Sequence, residues 1–273
     1  MMDSFLDFFE FMPAWQKLSW VIGCLLFTFL LENSFPLVQF NYKKWKHAGV
    51  NFIFLGFTLI INIIFGIITV GVFDWISAHQ FGLLFYIQLP TWTELILSVL
   101  LFDLVAQYTA HYLLHRIKWM WKMHMVHHSD TMVDATTGTR HHPGDYIVRE
   151  VFALAAAFLI GAPFAFYMFY RICTVFFTYM SHANITIPLW LDKSLSLIFI
   201  TPNMHKFHHH VERPWTDTNF GNIFSLWDRI FGTMVYDDPK KVKYGLDILA
   251  KTPDDDVLFQ LKVPFSKNIK TDY

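Results

Sequence analysis

Histidines are concentrated in one part of this 273-residue chain, and their spacing carries chemical meaning. Twelve of the fourteen lie between His111 and His210. Eight of these fall into three sets: His111 and His115; His124, His127 and His128; His205, His208 and His209. Residues three or four positions apart share one face of a helix, so the rings of each set can point into one pocket. Neutral imidazole ligates iron, zinc, copper and nickel, and the pattern therefore predicts a metal centre.

Eight imidazoles are more than one metal ion requires. A structural zinc ion is closed by four ligands, and a catalytic zinc ion takes three protein ligands and a water molecule. Two metal ions are therefore predicted, and an all-nitrogen ligand set suits redox-active iron. A pair of iron ions that opens toward lipid could activate O2 against an unactivated C–H bond. Zinc could replace iron in purified protein, because Zn2+ binds such sites more tightly than Fe2+.

The composition indicates an integral membrane protein. Hydrophobic residues make up 54% of the chain and charged residues 16%, whereas soluble domains carry about 25% charged residues. A helix of about 20 apolar residues crosses the hydrocarbon core of a bilayer. Three segments of this kind are present, at residues 18–40, 50–73 and 95–114. They are the predicted membrane spans.

A fourth apolar region, residues 146–179, is interrupted by Gly161, Ala162 and Pro163. It is too long for one span, and a single crossing would place residues 124–128 and 205–209 on opposite sides of the bilayer. We therefore predict a hairpin at residues 161–163, whose first leg of about 15 residues is short enough to be re-entrant. The predicted fold is all-α, with about four transmembrane or re-entrant helices beneath a histidine-rich helical cap.

The basic residues of the short loops predict the orientation. Three lysines lie between the first two spans, and three basic residues follow the third: Lys43, Lys44, Lys46, Arg116, Lys118 and Lys122. Cytoplasmic loops carry an excess of Lys and Arg, so the cap is expected to face the cytoplasm, in a bacterial inner membrane. A net charge of −1 argues against a nucleic-acid partner. Cys24 and Cys173 lie in apolar segments, so neither a disulfide nor a thiolate ligand is expected.

The histidine sets resemble known sequence boxes. His111-Tyr-Leu-Leu-His115, His124-Met-Val-His127-His128 and His205-Lys-Phe-His208-His209 are similar to the HxxxH, HxxHH and HxxHH boxes of the fatty acid hydroxylase/sterol desaturase superfamily of integral-membrane di-iron enzymes. Linking motifs are similar too, among them Arg140-His-His142-Pro143, Ser181-His182-Ala-Asn184 and Trp227-Asp228-Arg229. The resemblance covers about residues 95–236 and extends to the order of the motifs.

This resemblance implies a four-helix membrane unit beneath a cytosolic cap. It implies O2-dependent hydroxylation or desaturation of a lipid, such as a sterol, a fatty acyl chain or an ether lipid. Electrons would come from a separate cytochrome b5-like or ferredoxin-like donor with its reductase. The resemblance adds His182 to the expected ligands and favours His142 over His141 as a further one. Residues 1–273 would form a single membrane domain, with a catalytic core at 95–236 and a polar tail at 237–273.

Two carboxylates are candidates for a role beside the metal centre. Asp103 lies two helical turns before His111 in an apolar span and needs a partner there. We expect it to hydrogen-bond a ligand histidine, with a structural contact between helices as the alternative. Asp130 could orient a ligand or cap a helix, and the same alternatives stay open for Asp134, Asp145, Glu212 and Asp228. His210 lies about 140° round the helix from His205 and is expected to face solvent or the substrate entrance.

Two other classes of protein fit part of this pattern. A membrane zinc-dependent lipid hydrolase could use a histidine-bound metal to activate water, but it would need fewer ligands and no electron donor. A metal transport or sensing protein would place its ligands near the bilayer midplane along a path. Most of the histidines here lie beyond the ends of the predicted spans, which favours the oxygenase.

Overall fold

The computed structural model describes residues 2–249, 255–267 and 269, and these form helices without a β-strand. Parts of the predicted polar tail, at 250–254, 268 and 270–273, lie outside the described residues. The α-helices are α1 (Met2–Glu10), α2 (Ala14–Ser34), α3 (Lys44–His79), α4 (Thr91–Phe102), α5 (Ala110–Arg116), α6 (Lys118–His128), α7 (Pro143–Ile160), α8 (Phe164–His182), α9 (Leu189–Leu195), α10 (Pro202–His208), α11 (Leu226–Ile230) and α12 (Val257–Lys262).

Three helical stretches of the described chain are long and apolar enough to cross a membrane. They are Ala14–Ser34, Lys44–Tyr86 and Thr91–Arg116, which contain most or all of the three predicted spans. On α3, the outward-facing Ile63 and Ile67 are 69% and 74% exposed. Large exposed apolar side chains of this kind fit contact with lipid. The all-α membrane fold expected from the sequence is confirmed.

The predicted hairpin is present between α7 and α8. Helix α7 ends at Ile160, and Gly161 adopts φ +67°, in the left-handed region that favours glycine. A side chain at Gly161 would collide with the backbone at Phe81 and Gly82. Pro163 then directly precedes α8. The chain therefore reverses, and His182 at the end of α8 returns to the level of His127, with their Nε2 atoms 3.1 Å apart.

The main core lies where α4 and the two hairpin legs meet. Ala153, Ala156 and Ala157 of α7 are buried in this core, where α7 also contacts α4, and small residues allow helix backbones to approach closely. Phe102 lies in the same core and stacks on Tyr170 of α8, with ring centroids 5.2 Å apart. This packing fixes the three helices that lead toward the histidines.

A π-helical segment, Asp103–Thr109, joins α4 to α5. Such segments are rare, and they frequently accompany functional sites. This one ends two residues before His111, and it contributes Ala106 and Gln107 to the cavity described below. Beyond it, the connection to α6 is one extended residue, Ile117. The first two histidine boxes therefore lie on two short helices that pack against each other.

Candidate metal centre

The structure gathers nine histidines into two neighbouring groups. Within each group the potential ligand nitrogens all lie within 4.8 Å of one another. The first cluster comprises His111, His115, His124, His128 and His208; the second cluster comprises His127, His182, His205 and His209. Every one of these side chains is buried. The predicted eight histidines, and His182, thus lie together.

Each HxxHH box contributes to both clusters. In α6, His124 and His128 belong to the first cluster and His127 to the second. At α10 the assignment is reversed, because His205 and His209 belong to the second cluster and His208 to the first. Positions i and i+4 are about 40° apart on a helix, whereas i+3 lies about 60° to the other side. A box packed between two clusters therefore sends its outer histidines one way and its middle histidine the other.

Hydrogen bonds fix the tautomer of four rings through backbone carbonyls. Nδ1–H donates to a carbonyl oxygen in each case: His111 to Phe220 at 2.8 Å, His127 to Arg140 at 3.3 Å, His182 to Thr178 at 2.7 Å and His208 to Thr218 at 2.7 Å. A carbonyl oxygen can only accept, so Nδ1 must carry the hydrogen and Nε2 must carry the lone pair. This arrangement is typical of metal-ligating histidine.

Two rings of the first cluster are held by carboxylates instead. His115 Nδ1 lies 3.2 Å from Asp217 Oδ1, and His124 Nδ1 lies 3.0 Å from Asp145 Oδ2. An ionised carboxylate accepts only, so these rings also present a lone pair at Nε2. The sequence suggests Asp145 as a residue that could orient a ligand or cap a helix. It does not suggest Asp217, because Asp217 lies 102 positions from His115 and no local spacing links them.

The facing nitrogens fit a bound cation. His111 Nε2 and His124 Nε2 are 3.1 Å apart, as are His127 Nε2 and His182 Nε2. Each of these rings carries its hydrogen on Nδ1, so the paired Nε2 atoms bring two lone pairs together with no hydrogen between them. Among the described residues, His208 Nε2 and both ring nitrogens of His209 are buried without a hydrogen-bond partner. Metal coordination would satisfy these Nε2 pairs, His208 Nε2 and one ring nitrogen of His209, whose other ring nitrogen would carry the hydrogen.

Burial keeps the cluster histidines neutral. It lowers the pKa of His124 to about 3, against the opposing effect of Asp145. Burial, followed by the neighbouring imidazoles, also lowers the pKa of His127, His128 and His209 well below the ordinary value. Neutral imidazole is the form that binds metal. The two histidine clusters are therefore chemically suited to hold metal ions.

Asp103 is bound to the cap and not to a ligand histidine. The carboxylate of Asp103 accepts from the backbone N–H of Ile223 and Phe224 at 3.1 and 3.2 Å, and from the Trp227 indole N–H at 3.0 Å. The prediction that Asp103 hydrogen-bonds a ligand histidine is therefore wrong. Three donors from the cap occupy the carboxylate, and Asp103 forms the alternative contact, between the third span and the segment that carries Phe220.

Asp130 is bound to His47 at the start of α3. His47 Nε2 lies 2.8 Å from Asp130 Oδ1, and Thr137 donates to Oδ2 at 2.7 Å. Burial would raise the pKa of Asp130, but the neighbouring His47 and Arg140 outweigh burial and hold it well below the ordinary value. Asp130 is therefore an anion that ties the loop after α6 to α3. Among the described residues, its hydrogen-bond partners His47, Met132 and Thr137 lie in neither cluster.

The structure does not place His142 among the clustered histidines, although the sequence favours it over His141 as a ligand. His142 begins α7, where its Nδ1 accepts from the Gly144 N–H at 3.0 Å, and its Nε2 donates to the Leu261 carbonyl at 3.3 Å. Both nitrogens are thus used, and His142 lies in neither cluster. His141 instead stacks on His127 with centroids 4.7 Å apart and bonds Asp145 at 2.9 Å. Neither histidine of the pair belongs to either cluster, and His141 is the one that contacts a cluster histidine.

His210 lies away from both clusters, as expected, but it does not face solvent. It is 5% exposed and packs against Trp215, with ring centroids 4.7 Å apart. Its Nδ1 accepts from the Glu212 N–H at 2.9 Å. Helix α10 ends at His208, and the following turn directs His210 into the cap.

A cavity of about 180 Å3 adjoins the histidines. It is lined by residues of α2, α3, α7, α8 and the π-helical segment, and it reaches four cluster histidines: His111, His127, His182 and His205. Three of the four belong to the second cluster. The cavity leads from the membrane helices to the two histidine clusters.

A protein-family comparison agrees with the fold and the site. The family model for fatty acid hydroxylase matches residues 95–233, which is just over half of the 273 residues. The matched segment contains all nine cluster histidines. The chain belongs to the fatty acid hydroxylase family, whose members are membrane-bound.

Curated relatives extend this result. The chain is 27% identical over 180 residues to the ornithine lipid hydroxylase OlsE of Rhizobium tropici, covering 66% of this chain and 53% of that one. It is 29% identical over 140 residues to human alkylglycerol monooxygenase, covering 51% and 30%. It is 23% identical over 224 residues to methylsterol monooxygenase 1-3 of Arabidopsis thaliana, covering 77% and 76%. The chain thus spans about half of the first relative and a third of the second. No solved structure matches the chain.

Proposed function

We propose that the protein is an O2-dependent, non-haem di-iron hydroxylase or desaturase that acts on a lipid. The observation that carries this proposal is the pair of buried clusters of neutral imidazoles at the end of a cavity between membrane helices. Nine nitrogen ligands exceed the need of a single hydrolytic zinc ion. The named activities of the relatives, on an ornithine lipid, an alkylglycerol and a methylsterol, support a lipid substrate.

The two clusters would each hold one iron ion. In the proposed assignment, His111, His115, His124, His128 and His208 bind the first ion, and His127, His182, His205 and His209 bind the second. Bound iron would supply activation of O2 against an unactivated C–H bond. Zinc could occupy the same sites in purified protein, so the metal found after purification is weak evidence about the reaction.

The protein's own contribution is position and exclusion of water. The Nδ1 hydrogen bonds to Phe220, Arg140, Thr178 and Thr218 hold four rings with Nε2 directed inward. Fixing ring orientation before metal binds reduces the reorganisation that binding and reaction require. The buried walls keep bulk water from the reacting carbon. The cavity holds the lipid with its C–H bond beside the second cluster.

We further propose a domain organisation, a membrane orientation and an electron donor for this enzyme. The whole chain would form one membrane domain, with the catalytic core at 95–236 and a polar tail at 237–273. The cap would face the cytoplasm of a bacterial inner membrane, because the Lys43–Lys46 loop is basic. A cytochrome b5-like or ferredoxin-like protein with its reductase would deliver electrons. Topology reporters placed near His79 and after Tyr273, which lies outside the described residues, should report opposite sides.

Metal and oxygen dependence provide the decisive test. Protein purified without oxygen from iron-rich cells should hold about two iron ions per chain. The reduced protein should consume O2 only when a membrane lipid extract is supplied, and mass spectrometry should find a product that has gained one oxygen or lost two hydrogens. Full activity on the extract without O2, or with zinc alone, would instead identify a hydrolase.

A further inference from the structure

The cavity beside the metal centre is elongated along α8. Its wall includes Arg171, Thr174, Thr178 and His182, which follow one another at intervals of three or four residues on one face of the helix. His182 lies eleven positions after Arg171, which corresponds to about 16 Å of helix. The cavity therefore extends from the second cluster to a second, chemically different end.

That second end is a group of polar side chains in the membrane-spanning part of the fold, here termed the polar cluster: Asn62, Tyr146, Glu150 and Arg171. Arg171 donates to Glu150 Oε1 at 2.8 Å, to Asn62 Oδ1 at 3.1 Å and to the Tyr146 hydroxyl at 3.2 Å. Asn62 lies midway along the 36-residue α3. Ionisable groups at such depth are costly, and they usually mark a pathway or a binding site.

The polar cluster lines the cavity, and so does an unused hydroxyl beside it. All four side chains of the polar cluster face the cavity. Thr58 lies one helical turn before Asn62, and its buried Oγ1 has no hydrogen-bond partner among the residues that the structure describes. At the other end, Asn222 Oδ1 is also buried and unpartnered within that same part of the chain. A hydrocarbon ligand would leave these groups unsatisfied.

The charges favour a neutral ligand group. Each of the two arginines that line the cavity already has a carboxylate partner. Arg171 is paired with Glu150 at 2.8 Å, and Arg149 is paired with Asp145 at 3.0 Å. A carboxylate or phosphate brought to Arg171 would have to compete with Glu150 in a site of low dielectric constant. A hydroxyl, ester or amide could accept from Arg171 or bond Thr58 without adding a charge.

We propose that the polar cluster binds a neutral hydrogen-bonding group of the lipid substrate, so that the oxidised carbon is selected by its distance from that group. This inference rests on the proposed function for the reaction, although binding at the polar cluster does not depend on it. The proposed substrate is a lipid with a hydroxyl, ester or amide group. That group binds at the polar cluster, about 16 Å along α8 from the second cluster. Plain hydrocarbons and free fatty acids are excluded from this class.

Binding of three probes with equal chain length tests the proposal: 1-hexadecanol, hexadecane and palmitate. Radiolabelled probes would be equilibrated with the metal-loaded protein in nanodiscs without O2, so that no turnover occurs, and empty nanodiscs would be subtracted. Hexadecanol should bind about tenfold more tightly than hexadecane, the size expected for one hydrogen bond to a charged group. Palmitate should bind more weakly than hexadecanol.

Two variants test whether the polar cluster causes the preference for hexadecanol over hexadecane. In the double variant Glu150→Gln and Arg171→Met, hexadecanol and hexadecane should bind within about twofold of each other, because the charged donor is lost without leaving a lone buried charge. Asn62→Leu leaves the ion pair in place and should reduce the preference severalfold. The exposed ion pair of Asp237 and Lys241 is the matched control. Replacing it by Asn and Gln should leave the preference unchanged.

Several outcomes would overturn the inference. Equal binding of hexadecanol and hexadecane by the parent protein would do so, as would tightest binding of palmitate. An unchanged preference in Asn62→Leu would also do so, and that variant decides the matter if the double variant fails to fold. Selective binding of hexadecanol by a protein that shows no O2-dependent product would preserve this inference and reject the proposed function. Oxidation of lipid without selective binding would do the reverse.

Discussion

The two histidine clusters are built from the same residue type but are supported differently. In the first cluster, four of the five rings are held through Nδ1, two by backbone carbonyls and two by the carboxylates of Asp145 and Asp217. In the second cluster, His127 and His182 are held by carbonyls. Within the described chain, His205 Nδ1 and both nitrogens of His209 have no hydrogen-bond partner.

The clusters also differ in what lies beside them. Three of the four rings of the second cluster line the cavity, whereas His111 is the one member of the first cluster among the cavity-lining residues of the described chain. Carboxylate partners raise the basicity of a ligand histidine and stabilise the bound cation. Of the two candidate metal sites, the first cluster therefore has more support for its ligand rings, and the second has more access to the cavity.

The largest effects should come from three consecutive histidines, which the structure assigns to three different surroundings. His208→Ala should remove metal from the first cluster, and His209→Ala should remove it from the second, with activity abolished in both. Each variant should retain about one metal ion per chain, because the other cluster keeps its ligands. Metal analysis and O2-dependent product formation measure these outcomes.

The neighbouring His210→Ala variant is the control for that experiment. His210 contacts Trp215 and lies outside both clusters. The His210→Ala variant should therefore bind as much metal as the parent protein. If His208→Ala and His209→Ala each lost both metal ions, the two clusters would not bind independently. If His210→Ala lost metal as well, the division of the box between two clusters would be refuted.

An intermediate effect is expected from Asp217→Ala. Asp217 supports His115 of the first cluster at 3.2 Å and is mostly buried. Loss of a group that holds a ligand typically lowers metal affinity about 10- to 100-fold. Competition with a chelator should show that one metal ion is bound more weakly and that the affinity for the other is unchanged. Equal weakening of both ions would mean that the carboxylate does not distinguish the clusters.

The sequence predicted the parts of the site that depend on local geometry. The i, i+3 and i+4 spacing identified eight histidines, and the Gly161-Ala162-Pro163 break identified the hairpin that brings α8 back to them. Both features depend on the helix period or on the backbone preferences of glycine and proline. The fold class followed from the same patterns together with the apolar composition.

The features that the sequence did not predict depend on contacts between distant segments. Asp103 bonds residues 120 to 124 positions away, and Asp217 bonds His115 across 102 positions. His141 and His142 are adjacent, and the turn that begins α7 decides which ring reaches His127. The helix period states which face a residue occupies, but not which other segment that face meets. The division of each box between two clusters is of this kind.

A smaller effect concerns the stability of the metal-free protein at different pH. Burial lowers the pKa of His124 to about 3 and lowers that of His209 well below the ordinary value, whereas histidine in an unfolded chain titrates near 6.5. Below about pH 6.5 the unfolded state therefore binds protons that the folded state cannot, and folding becomes less favourable as pH falls toward 3. The midpoint temperature of thermal unfolding of the metal-free protein should decrease when the pH is lowered from 7.5 to 5.5. A midpoint that stays constant or rises over this range would contradict the neutral buried state of these rings.

The smallest effect is expected from His141→Phe, which tests whether the second cluster depends on packing or on hydrogen bonding. His141 stacks on His127, with ring planes 14° apart, and its Nδ1 bonds Asp145, which also holds His124 of the first cluster. Phenylalanine can keep the stacked ring but not the bond. Asp145 would retain His124 and Arg149 as partners, so metal content should equal that of the parent and activity should fall less than about tenfold, the lower bound for loss of a group that directly holds a ligand. His141→Ala removes the ring as well, and a larger loss in that variant would show that packing against His127 matters more than the bond to Asp145. If His141→Phe instead released metal, His141 would have to be counted among the ligands, and the second cluster would be as fully supported as the first.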